Sequence, residues 1–490
     1  MSKYDIIIVG GGHNGLICAS YLAKRKFKTL ILEKNTEVGG LANCGSTINS
    51  LSSKIVKDLN MNLIQSNKPS YTVALEPSNN HTVIEERYND IIFHSTSADQ
   101  ESQKQFKSLV GKYKKFSSSL RKFMYNEPPR LKSGKNKDAW QLIKMGWSIR
   151  GLGKRNMREF LRIIGLNIAD ELEDNISNDT LKGLLAYESI LGSNLGPRSP
   201  GTVLTLLYKQ AIQEGLIFNF KKYERNEFLS SLEGMCLNQG VEIRKNSGVK
   251  NIILDGHSAK GVRLENNEEI FADIIISNVD PKRTYFNLLG TEALDTDFIR
   301  RANNVRAKGN VAKLNLSLRE KPIINSLEEN KSNAKFVYAP DINYIENSFN
   351  ASKYNTFSDN LCIEFKYNEN EIDANINYVP YVKNSTHDKE KIIQQSIDLL
   401  KPFIDNLNVT NATILTPNDI ESKFHVTGGS WNHGEFEIDQ LFMMRPFYGS
   451  AQYQTPINNL YLCSAGTHPG GGITGINGHN TAKKILEEHR

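Results

Sequence analysis

A glycine-rich stretch near the N-terminus has the residue types and spacing of a phosphate-binding loop. Gly10, Gly12 and Gly15 follow the β-branched run 5–9 directly, in the pattern G-x-G-x-x-G. In such a loop the first glycine permits a tight turn, the second lets the backbone approach a pyrophosphate, and the third allows close helix–strand packing. The amide groups at the start of the next helix would face the phosphates. The chemistry indicated is the binding of a dinucleotide.

The elements that must position this loop occur in the required order. The sequence predicts a helix over 16–25 and a second strand over 28–32, which ends at Glu33. An acidic residue at that place can accept hydrogen bonds from ribose hydroxyls. The glycine motif alone is common, but strand, helix, strand and acid within about 30 residues are specific for a dinucleotide. We expect His13 and Asn14, inside the loop, to contact the cofactor, and the pattern leaves NAD and FAD open.

Residues beyond this unit resemble a known family. Lys34 and the pair Gly39 and Gly40 follow the acidic residue, and then comes Leu41, where many members of the flavin amine oxidase and phytoene desaturase superfamily carry arginine. A second glycine-rich segment, 460–480, is similar to the closing FAD motif of phytoene dehydrogenase-related proteins. The two segments carry the resemblance at both ends of the chain.

Shorter matches in the middle extend the resemblance over essentially the whole chain. They lie at 195–202, 277–284, 433–435, 439–440 and 445–446. The chain is identified as a member of this superfamily, which implies FAD as the cofactor and no metal. The further FAD contacts that the resemblance implies are Lys34, Gly39, Gly40, Leu41, Val249 beside the adenine, Gly466, Thr467, Gly472, Thr474 and Gly475.

The resemblance also implies how the chain is organised. The fold class is α/β, with a Rossmann-type FAD-binding domain built from discontinuous segments and an inserted α+β substrate domain. We assign 1–70, 225–300 and 425–490 to the FAD-binding domain. The substrate domain then consists of 71–224 and 301–424. A length of 490 residues exceeds what one hydrophobic core usually supports, which agrees with two domains.

Four polar residues are candidates for catalysis. Lys313 lies in 311–318, whose alternation with period two predicts a strand, and the resemblance places it beside the flavin N5 through a bridging water. The alternative is a lysine that faces solvent. His433 and Glu435 have the types needed for acid–base chemistry, and on a strand their spacing puts both on one face. Arg445 is the fourth candidate. The alternative for these last three is that they hold the fold or the FAD.

The resemblance predicts an FAD-dependent oxidase, dehydrogenase or desaturase that acts on a C–C or C–N unit of a hydrophobic small molecule, such as an isoprenoid. No second strand–glycine-loop–helix unit is present in the sequence, so oxygen, a quinone or another protein would take the electrons, unless the net reaction is a redox-neutral isomerisation. Family members commonly carry a Gly-Gly-Met-Gly stretch before the Val249 strand, and 218–229 has none. This departure leaves a second hypothesis open: an FAD-bearing scaffold with little catalytic activity.

The charge is unevenly distributed. The chain carries a net +6, but 101–165 holds seventeen basic and four acidic residues, a local balance of +13. Phe106, Leu109, Val110, Tyr113, Phe116, Leu120 and Phe123, and further on Trp140, Ile143 and Trp147, follow helical spacing. This basic amphipathic segment either packs on the core with a solvated charged face or lies on an anionic membrane surface.

Other classes of partner and location are restricted by composition. No nucleic-acid-binding module accompanies the basic segment, so nucleic acid is not an expected partner. The five cysteines are scattered without a Cys-x-x-Cys pair, which gives no sign of a dithiol centre or a zinc site. The sequence shows no signal peptide and no apolar run long enough to span a membrane. We expect a cytoplasmic protein with reduced thiols, and a homo-oligomer is compatible with the sequence.

Overall fold

The fold is taken from a computed structural model of the chain. The residues it describes are 4–44, 47–48, 51–61, 63, 70–87, 90–131, 133–214, 223–328, 331, 334–384 and 386–489. Part of the 218–229 stretch, residues 218–222, lies outside them.

The strands and helices are numbered in chain order. The strands are β1 (Tyr4–Val9), β2 (Thr29–Leu32), β3 (Thr47–Ile48), β4 (Tyr71–Ala74), β5 (Thr82–Arg87), β6 (Asp90–Ser95), β7 (Tyr223–Glu224), β8 (Glu242–Arg244), β9 (Val249–Asp255), β10 (Ser258–Leu264), β11 (Glu269–Ser277), β12 (Val311–Leu318), β13 (Lys335–Tyr338), β14 (Cys362–Asn368), β15 (Glu371–Asn377), β16 (Val409–Leu415) and β17 (Leu460–Leu462). The helices are α1 (His13–Ala23), α2 (Ser53–Asp58), α3 (Gln100–Met124), α4 (Asn136–Arg150), α5 (Lys154–Ile163), α6 (Ile168–Asn175), α7 (Asp179–Ile190), α8 (Thr202–Ile212), α9 (Arg225–Asn238), α10 (Pro281–Arg283), α11 (Thr296–Asn303), α12 (Ile342–Lys353), α13 (Lys389–Leu400), α14 (Pro417–Phe424) and α15 (Ile476–Glu488).

The first sheet is the platform for the glycine loop. Its strands run in the order β8-β2-β1-β11-β10-β9, and β17 also pairs with β11. β1 is parallel to β2 and β11, and its residues Ile6–Val9 are buried because helices cover the sheet. Every strand of this sheet comes from the segments assigned to the FAD-binding domain, although the domain limits themselves stay a prediction.

The second sheet has two chemically different faces. Its order is β16-β12-β15-β14-β13-β4-β5-β6, mostly antiparallel, with a parallel pair between β13 and β4. Leu314, Leu316 and Leu318 point from β12 into a core that includes residues of α13. The residues that alternate with them, among them Lys313 and Asn315, lie on the opposite, polar face, as the period of two predicts. With a mixed α/β architecture and two sheets, the predicted fold class is confirmed.

The basic segment divides into two kinds of helix. The apolar residues of α3 are buried, so this helix packs on the core with its charges outward. The apolar residues of α4 are largely exposed. Of the described helices, none is long and apolar enough to cross a membrane.

Candidate active site

The loop between β1 and α1 has the geometry that its glycines predict. Gly10 has a φ of +97°, which favours glycine. A Cβ on Gly15 would lie 2.5 Å from the carbonyl oxygen of Gly10, and one on Gly12 would lie 2.9 Å from Nδ2 of Asn278. No side chain caps the N-terminus of α1. The amides at the N-terminus of α1 are therefore not capped by a described side chain, which suits phosphate binding.

Glu33 lies directly after β2 and is held by main-chain amides. Its Oε2 accepts a hydrogen bond from Gly11 N at 2.7 Å, and its Oε1 accepts one from Asn35 N at 2.8 Å. Burial raises the pKa of this carboxyl. Ser247 N donates to the carbonyl oxygen of Glu33 at 2.8 Å, so β9, which starts at Val249, begins beside this acid. The two residues expected at the adenosine end are thus brought together.

The second glycine pair touches the first loop. Gly39 and Gly40 have φ angles of +114° and +56°, and Gly39 N donates to the carbonyl oxygen of Gly11 at 2.9 Å. A Cβ on Gly40 would lie 3.4 Å from Cα of Gly12. Leu41 follows in a short 3-10 turn, Gly40–Asn43. The close approach of the two loops explains the glycine pair.

The closing segment, residues 460–480, packs beside the first glycine loop. Gly466 and Thr467 follow β17, and a Cβ on Gly466 would lie 2.4 Å from the ring of Pro281. Gly475 begins α15 with a φ of +75°, and a Cβ there would lie 2.4 Å from the side chain of Ile17 on α1. The segment therefore packs against the first helix through positions that only glycine fits.

Buried polar atoms at these loops lack partners within the described chain. His13 Nε2 and Asn14 Oδ1 are buried without a hydrogen-bond partner, and so is His433 Nδ1. Burial, together with the nearby His433, lowers the pKa of His13 to about 4, so its ring is neutral at pH 7. Buried polar atoms are normally satisfied. In a dinucleotide, a ribose hydroxyl could donate to Asn14 Oδ1, and phosphate oxygens could accept from a histidine ring N–H. The residues present thus fit the cofactor that the loop predicts.

A cavity of about 1010 Å³ extends from these loops to the polar face of the second sheet. It brings together six of the residues predicted from the sequence: His13, Lys34, Leu41, Lys313, Gly472 and Thr474. Lys34 is half-exposed and pairs with Glu265 at 2.8 Å. Trp431 also lines the cavity, and Nζ of Lys313 lies 4.7 Å from the centre of its ring.

The far wall of the cavity is a partly buried, charged network. Lys313 Nζ donates to Oδ1 of Asn375 at 3.1 Å, and Asn375 Nδ2 donates to Oε1 of Glu364 at 2.8 Å. Lys335 forms an ion pair with Glu188, and its Nζ lies 3.9 Å from Oε2 of Glu364. We call these five residues the charged wall. All of them line the cavity, so its described surface there is polar and not aliphatic.

Two lysines at this wall have no acidic partner. Lys209 donates to the carbonyl oxygens of Ser189 and Leu191 at 3.1 and 2.6 Å, which caps the end of α7. Burial lowers its pKa to about 8, and burial also lowers the pKa of Lys313. Within the described part of the chain, no carboxylate lies close enough to pair with either ammonium group. The cavity thus holds two amino groups that form no direct ion pair among the described residues, with the carboxyl groups of Glu188, Glu364 and Asp373 farther off.

His433 and Glu435 do not lie on a strand. His433 has a φ of +56° and is followed by Gly434 at +152°, so the segment is a turn and not a strand. The Glu435 carboxylate accepts from Asn194 Nδ2 at 3.0 Å and pairs with Arg306 at 3.3 Å. Neither residue lines the cavity. A catalytic role for them stays a prediction, and the contacts of Glu435 fit the alternative, a part in holding the fold.

Arg445 is almost completely buried and binds only main-chain oxygens among the described residues. Its guanidinium donates to the carbonyls of Asn432 at 2.6 Å, Glu435 at 2.9 Å, Gln440 at 3.2 Å and Ala465 at 2.9 Å. It thereby ties the 432–440 loop to the closing segment. This arrangement matches the structural alternative, since the side chain has no free face toward the cavity.

Most of the charged wall was missed from the sequence. Glu188, Lys335, Glu364 and Asn375 come from segments far apart in the chain, and so does Lys209 beside the wall. The alternation of polar and apolar residues along 362–368 and 371–377 was a usable signal, because it predicts strands with one polar face. Of the 218–229 stretch, β7 and the start of α9 are described, and Arg225 there lines the cavity.

The fold and the loops define a Rossmann-type nucleotide-binding enzyme with a second sheet that closes the site. A family model described as "NAD(P)-binding Rossmann-like domain" matches residues 8–73. Pyridine nucleotide-disulfide oxidoreductase domain-containing protein 2 of Mus musculus is 22% identical over 99% of this chain and 94% of that protein. The lycopene-forming phytoene desaturase of Paracoccus sp. is 23% identical over 71% of this chain and 69% of that protein. A solved structure of putrescine oxidase covers 99% of both chains with a TM-score of 0.60 and 11% identity.

These similarities confirm the predicted resemblance. The relatives and the Rossmann-like domain fit the flavin oxidoreductase superfamily, and the chain is an oxidoreductase enzyme. The solved structure supports the fold alone, since its identity is low.

Proposed function

We propose that this enzyme is an FAD-dependent oxidoreductase that removes a hydride from a C–C or C–N unit of a small molecule. The observation that carries the proposal is the single cavity that joins the glycine loops to Lys313 and the charged wall. FAD, when bound, supplies the two-electron acceptor. The phytoene desaturase name of the Paracoccus relative supports the same class of chemistry.

The chain's own residues would divide the work along this cavity. The amides of the β1–α1 loop would hold the pyrophosphate, and Glu33 would hold ribose hydroxyls. Lys313 is partly buried and its pKa is lowered, so its Nζ can release a proton more readily than that of an exposed lysine. Trp431, whose ring lies against that amine, would exclude water from it.

The residues of the charged wall indicate which class of substrate the cavity would bind. The isoprenoid-like substrate expected from the sequence stays a prediction, supported by the names of relatives. An apolar chain packed against the wall would cover ionised groups without replacing their hydration, which is costly. We propose instead that the substrate carries an ionised group. The unpaired ammonium groups of Lys209 and Lys313 favour an anion, such as a carboxylate, over a cation.

Anaerobic reduction of the bound flavin tests both parts. The purified protein should show a flavin absorption band, and its absence would overturn the proposed cofactor. Small carboxylates, amino acids, polyamines and isoprenoid alcohols are then added in turn, and the proposal expects bleaching by a compound with an anionic group. Bleaching by isoprenoids alone would overturn the substrate class, and a flavin band that no compound bleaches would favour the scaffold hypothesis.

Two matched lysine variants test whether Lys313 contributes to the reduction of the flavin. Lys313→Met should slow bleaching while the flavin stays bound. Lys321→Met is the control, because Lys321 is an exposed residue outside the cavity. Equal rates in the two variants would contradict a role for Lys313.

A further inference from the structure

Helix α4 presents an aromatic stripe to solvent. Trp140, Ile143 and Trp147 follow one another at spacings of three and four, so they share one face of the helix. Their exposed fractions are 49%, 45% and 62%. The two indole rings meet edge to face, with centroids 5.7 Å apart. Such a stripe is unusual on a free surface, because large apolar side chains at helical spacing normally face a core.

Polar contacts fix α4 in this orientation. At its N-terminal end, Asp138 is buried and accepts from Arg130 N at 3.1 Å and from Gln452 Nε2 at 2.9 Å. Toward its C-terminal end, Ser148 Oγ donates to the carbonyl oxygen of Ser119 on α3 at 3.1 Å. The helix is therefore attached through the face that carries Asp138 and Ser148, on which Ile149 also packs against the core. The aromatic stripe remains outward as a consequence of the fold.

The surface around the stripe is strongly basic. Exposed basic residues along α4, α5 and their ends are Lys135, Lys144, Arg150, Lys154, Arg155 and Arg158. The acids between 135 and 162 do not neutralise them, since Asp138 is buried and Glu159 pairs with Lys112 and Arg162. Lys144 lies 5.5 Å from the ring centre of Trp140, so the charge adjoins the aromatic face.

We propose that α4 and α5 form a docking surface for an anionic lipid bilayer. Tryptophan is favoured at the boundary between headgroups and acyl chains. Basic residues beside an apolar helix face add attraction to anionic lipids. A second copy of the chain is a poorer occupant, because two copies would bring two basic surfaces together. The proposal goes beyond the redox function and does not depend on it.

Vesicle sedimentation tests the proposal with the full chain. Vesicles of phosphatidylcholine with phosphatidylserine are compared with vesicles of phosphatidylcholine alone. The wild type should sediment with the former, and added salt should weaken the binding. The variant W140A/I143A/W147A should bind at least about tenfold more weakly.

The matched control is L237A/I323A/Y354A, which removes three apolar side chains exposed at 53%, 55% and 80% elsewhere on the surface. It should bind like the wild type. Equal loss in both variants, or no sedimentation of the wild type, would overturn the proposal. A wild-type dimer that the α4 variant converts to monomer, with no vesicle binding, would overturn it in favour of self-association.

Tryptophan fluorescence gives a second measurement of membrane binding, which uses only the wild type and does not depend on the folding of a variant. The chain has three tryptophans, and the third, Trp431, lies in the cavity. Brominated lipid in the anionic vesicles should quench a large part of the wild-type emission, because Trp140 and Trp147 would enter the bilayer. Emission unchanged by brominated vesicles would contradict insertion.

Discussion

His468 makes the closing segment sensitive to acid. It is 1% exposed, and its Nε2 donates to the carbonyl oxygen of Phe123 at 3.1 Å. Its own carbonyl accepts from the Tyr453 hydroxyl at 3.0 Å. Burial lowers the pKa of its imidazole from the ordinary 6.5 to about 4. The folded protein therefore keeps this ring neutral where the unfolded chain protonates it.

The sign and size of the effect follow from this difference. Between pH 4 and 6.5 the unfolded chain binds more protons at this residue than the folded protein does, so stability rises with pH in that window. Stability is lost as the pH falls from 6.5 toward 4. At pH 5, His468 alone lowers the free energy of unfolding by about 2 kcal/mol relative to pH 7.

Urea unfolding at pH 7 and pH 5 measures this loss, and release of FAD fluorescence follows the same samples. His468→Gln removes the titration but keeps a donor that can reach Phe123. We expect the difference in unfolding free energy between the two pH values to be about 2 kcal/mol smaller in this variant. An identical pH dependence in wild type and variant would refute the reasoning.

The remaining predictions concern the cofactor and the cavity. Glu33→Gln should weaken FAD binding about tenfold in equilibrium dialysis, because ribose hydroxyls lose a charged acceptor, and unchanged affinity would contradict that role. Arg445→Met leaves four carbonyls unsatisfied and should cost about 4 kcal/mol or more in urea unfolding, with Arg445→Lys in between. If Arg445→Met had normal stability but no flavin reduction, the result would instead indicate a catalytic role for Arg445. Lys313→Met should slow flavin reduction about a hundredfold in stopped-flow measurements without loss of FAD.

The cofactor end of the site was predictable from the sequence because its determinants are local. The glycine loop, the acid at Glu33 and the turn at Gly39 each lie within a short stretch whose spacing dictates the backbone. The closing segment is likewise contiguous, and its glycines are explained by contacts with α1 and Pro281. A Cβ at such a position would clash with the neighbouring segment, so a glycine in the sequence indicates that two segments come close together there.

The substrate end was not predictable in the same way. Glu188 lies on α7 and Lys335 on β13, and their ion pair exists only because the second sheet packs against that helix. The spacing of His433 and Glu435 is compatible with a strand and with a turn, and only the positive φ of His433 shows that it is a turn. Contacts between residues far apart in the chain, and single turn residues, produce no periodic pattern in the sequence. They could therefore not be predicted from it.

The basic segment shows how burial decides between two interpretations of one pattern. α3 and α4 both carry apolar residues at helical spacing next to basic ones. Periodicity therefore predicts the same amphipathic helix for both. α3 places Phe106 and Phe116 in the core, whereas α4 buries Asp138 and leaves Trp140 and Trp147 outside. The ordinary core interpretation therefore holds for the first helix only. An apolar face that the fold leaves uncovered needs another surface to cover it, and the basic residues around α4 favour an anionic bilayer.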